Sequence, residues 1–153
     1  MQRKISKLHI CFIAITLLAG LSVHAGQLLV TQDEMFESNN ADSGLRPRSF
    51  DVKEAPVINL VYPKLPGVVN SPTSIELKFS PNLPSTIKVE TFRALYGTFQ
   101  IDITSRILGV TNVSQDGIKV KEANLPKGKH RIQLKIEDSE GRMGSRWMEF
   151  AVE

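Results

Sequence analysis

This chain is poor in the residues that most often carry chemistry. It has one cysteine, three histidines and one tryptophan in 153 residues, and aromatics make up 7% of it. The single cysteine, Cys11, excludes an intramolecular disulfide, and no Cys-based zinc or iron–sulfur site is possible from one thiol. The longest apolar run, Ile10 to Leu21, is twelve residues. That is too short to cross a ~30 Å hydrocarbon layer as a helix, which takes ~20. No segment keeps an amphipathic helical period over three turns.

What stands at the start explains several of these shortages. Arg3, Lys4 and Lys7 precede the apolar run, and Val23-His24-Ala25 supplies small residues where a signal peptidase reads. Residues 1–25 are therefore expected to be a secretory signal cut after Ala25. Cys11 lacks the sequence context of a lipoprotein site. Cleavage would remove Cys11, His9 and His24, leaving His130 as the one histidine. It would also remove three basic and no acidic residues, so the remainder holds sixteen of each. The basic balance belongs to the export signal and is no argument for nucleic acid or an anionic membrane. The expected location is periplasmic or extracellular, with no membrane span after cleavage.

Residues 26–54 read "GQLLVTQDEMFESNNADSGLRPRSFDVKE". Apart from "QLLV" the stretch is polar and turn-rich, and it is expected to be a flexible leader or arm. From Ala55 the rhythm changes to short β-type runs between Pro, Gly, Asn and Ser clusters. In "SPTSIELKFSP", Ile75, Leu77 and Phe79 share one face and Ser74, Glu76 and Lys78 the other. "PVINLVYP", "TIKVETFRALYG", "FQIDITSRIL", "GIKVKEANLP", "HRIQLKIED" and "RWMEFAVE" supply further runs, with a helical turn expected at Thr104–Ile107 and a short strand before the Gln-Asp-Gly turn. Period-2 alternation means one face buried and one wet, as in antiparallel sheets. About seven strands in about 100 residues predict an all-β antiparallel sandwich over residues 55–153.

The stretch "LPKGKHRIQLKIEDSEGR", Leu125 to Arg142, makes this more specific. It resembles the penultimate strand and hairpin of bacterial immunoglobulin-like and fibronectin type III-like domains. Leu125 and Gly128 match the turn, Ile132, Leu134 and Ile136 the inward aliphatics, and Asp138 and Gly141 the hairpin. His130 stands where such domains often carry a corner tyrosine. The resemblance implies an Ig-like β-sandwich, with Ile132, Leu134 and Ile136 facing Ile75, Leu77 and Phe79 across a ~10 Å core. It implies no catalytic residues, because this fold hosts many functions.

Candidates for chemistry are few. His130 is a base or ligand only if a partner joins it, and otherwise a packed corner residue. Ser139 or Ser145 with Asp138 would complete a Ser-His-Asp set only by geometry. Asp138 and Glu140, in "EDSE", are weak calcium candidates, helped by Asp102 and Asp116 only if separate loops converge. Tyr96, Asp102 and Arg106 lie on the least regular connection, which either is a plain strand–turn–strand or projects them onto a partner, since loops on a rigid sandwich commonly bind. Trp147 is out of phase with Met148, Phe150 and Val152, so it is expected on the outer face of a sheet as a contact patch, unless a bulge or the arm covers it. Lys129, Arg131, Gln133, Lys135 and Glu137, with Lys119 and Lys121, form a charged ladder that a solvated face explains.

These features point to a non-enzymatic interaction module for an unknown protein or cell-envelope component, without cofactor or resident metal and not for nucleic acid. One alternative is a periplasmic metal-handling protein like the copper-binding CopC family, whose members are also small exported sandwiches with a similar opening. The histidine ligands of that family are missing here unless His24 survives cleavage. A glycan or cell-wall binder is the other alternative, weakened by the low aromatic content.

Overall fold

The structure, a computed structural model, describes residues 28–41 and 54–153. The signal segment 1–25 and residues 42–53 of the expected leader lie outside the described residues. The strands form two packed sheets. In the first, β1 (Val57–Tyr62), β3 (Thr73–Ser80) and β6 (Gly117–Ala123) run antiparallel in the order β1-β3-β6. In the second, β2 (Val68–Val69), β8 (Met143–Val152), β7 (Gly128–Asp138), β4 (Ile87–Tyr96) and β5 (Ile101–Asp102) follow the order β2-β8-β7-β4-β5. The pairs there are antiparallel except β2 with β8. β1, β3 and β6 occupy the places of strands A, B and E of an immunoglobulin-like sandwich, and β4, β7 and β8 those of C, F and G.

The alternation read from the sequence is what closes the sandwich. In β7, His130, Ile132, Leu134 and Ile136 are buried, while Arg131, Gln133 and Lys135 on the other face are half-buried. Ile132, Leu134 and Ile136 join Ile75, Leu77, Phe79, Ile118 and Val120 in one core cluster. That core leaves a void of about 20 Å³ between the sheets. Gly117 lets β6 start against β3, because a Cβ there would stand 2.0 Å from the Leu77 carbonyl oxygen at φ +150°.

Several expectations change. Residues 28–41 are part of the fold. Leu29 and Val30 are 1% and 0% exposed in the core, and α1 (Gln32–Asn40) follows them. The reason is local and tertiary at once. Thr31 accepts from the Glu34 amide at 3.2 Å, and Glu34 accepts from the Thr31 amide at 2.8 Å, a capping box with Asp33 and Glu34 at the positive helix end. Nine residues are marginal as a free helix. The chain before them is therefore anchored, by a parallel bridge from Leu28 to Asn124 and a Leu29 amide bond to the Asn124 carbonyl at 3.1 Å.

"FQIDITSRIL" forms a two-residue strand, not a long one. Phe99 is 60% exposed in the turn before it, and Ile103 is fully buried as the cap of α2 (Thr104–Leu108). The backbone turns there because Asp102 Oδ1 accepts the Thr104 amide at 2.8 Å. Thr104 Oγ1 in turn accepts the Ala94 amide of β4 at 2.9 Å. The short strand expected before the Gln-Asp-Gly turn is only a bridge from Val113 to Ile118. Lys119 and Lys121 belong to β6 in the other sheet, so they do not extend the β7 ladder.

Candidate functional site

The least regular segment of the sequence builds one corner of the molecule. β4 ends at Tyr96, which follows Phe92 and Ala94 on the inward face and is 1% exposed. Tyr96 does not project onto a partner, as the sequence reading had it. Its inward period from Phe92 was a readable signal. Its hydroxyl donates to His130 Nδ1 at 3.0 Å, and His130 Nε2–H donates to the Pro126 carbonyl at 2.7 Å. That arrangement assigns the neutral imidazole with its proton on Nε2. Phe150 stacks on the ring at 5.5 Å between centroids. Burial holds the His130 pKa below 6.5, against the bond to Pro126, which favours the charged form. Burial, with the nearby Glu34 charge, pushes the Tyr96 hydroxyl up to about 12. His130 therefore ties the Leu125–Gly128 turn to β4, as a corner tyrosine would, with both ring nitrogens engaged.

Arg106, on α2, points to the arm. Its guanidinium makes two bonds to the Glu34 carboxylate, each 2.7 Å, and a third to the Leu29 carbonyl at 3.0 Å. The Arg106 hydrogen bond chiefly holds Glu34 down at about 2, although burial opposes it. Farther along α1, Ser38 accepts the Thr98 amide at 3.0 Å, and the Thr98 hydroxyl donates to the Ser38 carbonyl at 3.1 Å. Gly97 (φ +68°) is required at this contact, because a Cβ would come 2.1 Å from Ser38 Oγ. Asn39 Nδ2 donates to the Lys129 carbonyl at 3.2 Å. The arm, the β4–β5 turn and α2 are thus locked together. Glu34 and Ser38 were not among the sequence candidates. The Thr-Gln-Asp-Glu capping pattern was the signal that could have found them.

Asp102 is exposed and spends one carboxylate oxygen on α2, whose Thr104 bonds chiefly hold its pKa below the usual range. Trp147 lies in register with Gln133 on the outer face of the five-stranded sheet, half-buried. The Arg131 guanidinium sits 4.5 Å above its ring, and Glu149 lies 3.3 Å from Arg131. A β7 side chain provides cover, and the β7–β8 register runs unbroken through Trp147, so no bulge tucks the ring inward. Trp147 is expected to be only partly quenched by iodide, and Arg131→Ala is expected to raise the Stern–Volmer constant. An unchanged constant would remove Arg131 as its cover.

Asp138 and Glu140 do not come together as cation ligands. Asp138 is fully buried. It accepts the Glu140 amide at 3.0 Å, the Arg142 amide at 2.9 Å and Arg142 Nε at 2.7 Å. Burial pushes its carboxyl up, but these donors hold it net below the usual range. It is the staple of the β7–β8 hairpin, while Glu140 is exposed. Asp102 lies at the other end of the sheet, paired with Leu95. His130 and Asp138 are eight residues apart along β7, about 26 Å, so no Ser-His-Asp set forms. Ser139 Oγ instead accepts the Thr86 amide at 3.2 Å. Among the described residues no three His, Cys, Asp or Glu side chains gather as a metal site.

Two surface features remain. An open groove of about 380 Å³ runs between β3 and the loop before β6, with Glu76 and Lys119 paired at 3.1 Å on its wall. The other feature surrounds the arm. Among the described residues, ten large apolar side chains are exposed. Five of them sit on the three interlocked pieces: Leu28 and Phe36 on the arm, Phe99 in the β4–β5 turn, and Leu108 and Val110 at the end of α2.

No protein-family model and no curated relative matches the chain. Several solved structures are similar in shape, and two of them illustrate it. One is CopC from Methylosinus trichosporium OB3b, at 15% identity and TM-score 0.43, covering 63% of this chain and 93% of that one. The other is murine CRIg, at 10% identity and TM-score 0.36, covering 63% of this chain and 95% of that one. Likenesses of this degree concern the fold alone. It is the strand order within the two sheets that makes this chain an immunoglobulin-like β-sandwich.

Proposed function

We propose that the protein is an exported, non-enzymatic interaction module, acting in the periplasm or outside the cell. It binds a protein component of the envelope through the corner made by α1, the β4–β5 turn and α2. The observation that carries this reading is the concentration of exposed Leu28, Phe36, Phe99, Leu108 and Val110 on three pieces that other contacts hold rigid. Exposed aromatics on a fixed frame lose little conformational freedom on binding, which favours them as interface anchors. The basic and apolar pattern of residues 1–25 supports export.

A photo-crosslinking amino acid placed at position 99 tests the reading in intact cells. A discrete adduct is expected, competed away by excess native protein and not by excess protein carrying Phe36→Ser and Leu108→Ser. The same crosslinker at Leu83, 84% exposed in the β3–β4 connection, serves as the control. An adduct no stronger at position 99 than at position 83 would refute the assignment.

A further inference from the structure

One face of α1 is turned to solvent. Asp33, Phe36, Glu37 and Asn40, spaced i, i+3, i+4 and i+7, are exposed, while Glu34, Met35 and Ser38 face the body. Phe36 therefore sits between two carboxylates. The positive helix end accounts for Asp33. It does not account for Glu37, which stands in the last turn, at the negative end, where a carboxylate weakens a helix. Among the described residues neither forms a salt bridge. The negative charge is concentrated at this corner. Residues 28–41 and 97–110 carry four acidic side chains and one basic one, Arg106, which is already spent on Glu34. The other described residues carry ten acidic and twelve basic side chains. Of the basic residues bordering the corner, Arg93 bonds the carbonyls of Glu90 and Phe92, and Lys129 lies beyond the far end of α1, beside Asn39.

Resting on the reading that this corner is the interface, we propose that its partner is a protein presenting a cationic amphipathic surface, an apolar ridge flanked by lysine or arginine. An apolar surface laid on Phe36 strips water from Asp33 and Glu37, and a charge that loses water without gaining a partner is costly. Cations beside the ridge offset that cost, and the Phe36 ring adds its own attraction for them. The same carboxylates repel the anionic surface of a membrane leaflet, so the exposed Phe36, Phe99 and Leu108 suit a protein rather than lipid. Opposite charges at the rim of an interface act chiefly on the rate of encounter and against wrong partners, and salt screens them.

The probe is a fluorescein-labelled amphipathic helix of about 18 residues, a leucine face flanked by lysine, with a leucine–glutamate helix as its counterpart. By fluorescence anisotropy at low salt, the purified protein is expected to bind the lysine helix about tenfold more tightly than the glutamate helix, and less so at ~0.5 M salt. Asp33→Asn with Glu37→Gln is expected to remove most of that preference. Glu90→Gln with Glu140→Gln, the same charge change at exposed sites outside the corner, is expected to leave it. Phe36→Ser with Leu108→Ser is expected to abolish binding. Equal binding of the two helices, absent binding included, overturns the inference. So does equal affinity of the two charge-neutralised proteins for the lysine helix, or binding to phosphatidylglycerol vesicles that Phe36→Ser with Leu108→Ser removes. Crosslinking in cells separates this inference from the reading it rests on. An adduct at position 99 that keeps its yield in the Asp33→Asn, Glu37→Gln protein leaves the interface standing and overturns the cationic partner. No adduct above that at position 83 removes the interface itself.

Discussion

Replacing Leu134 with alanine is expected to lower the unfolding free energy by about 2–5 kcal/mol, measured by urea titration followed through the tryptophan signal. Leu134 is 1% exposed in the centre of β7 and lines the core between the two sheets. The substitution removes three heavy atoms from a site whose neighbours, Ala94 and Arg146, are fixed by strand pairing and cannot close the gap. With no disulfide possible from a single cysteine, core packing has no covalent support. A loss under 1 kcal/mol would show that the sheets collapse onto the cavity, contrary to a rigid sandwich.

His130→Ala is expected to be about as costly, roughly 3–5 kcal/mol. It deletes a buried ring and leaves the Tyr96 hydroxyl and the Pro126 carbonyl without their partner. The same residue predicts a pH response. Because the folded pKa of His130 lies below 6.5, the unfolded chain binds the proton first as pH falls. Its contribution to stability is complete above about 6.5 and is lost as pH drops toward the folded value. Glu34 and Asp138 are also depressed, but their contributions fade only as pH falls below the ordinary carboxylate range near 4. The interval between about 6.5 and 5 therefore isolates the histidine. Stability should decline across it in the native protein and stay level in His130→Phe, which keeps a ring against Phe150. Equal slopes in the two proteins would assign the response elsewhere.

The two experiments probe different kinds of information in the chain. The alternation of β3 and β7 was fully legible, because a strand with one buried face has a strict period of two. The same rule, applied from Phe92 through Ala94, places Tyr96 inside, although its irregular surroundings suggested a loop. Tyr96 and Arg106 were singled out as partner contacts and are used within the fold, one under the corner and one on the arm. What the segment does expose is Phe99, at 60%.

By itself, the amino-acid sequence determined the two-faced strands, the hairpin of β7 and β8, the corner turn at Leu125–Gly128 and the helical turn after Asp102. Each depends on neighbours within a few residues. Only the tertiary structure decided that "LLVTQDE" closes the sandwich. Its apolar pair is too short to carry a periodic signal, and its carboxylate meets Arg106 across 72 positions of chain. Tertiary packing likewise decided that His130 is tied to Tyr96 and that Arg131 covers Trp147, since those pairings depend on the order of strands in the sheet. Local patterns specify which faces must be buried. Which face meets which is set by the one arrangement that satisfies all of them together.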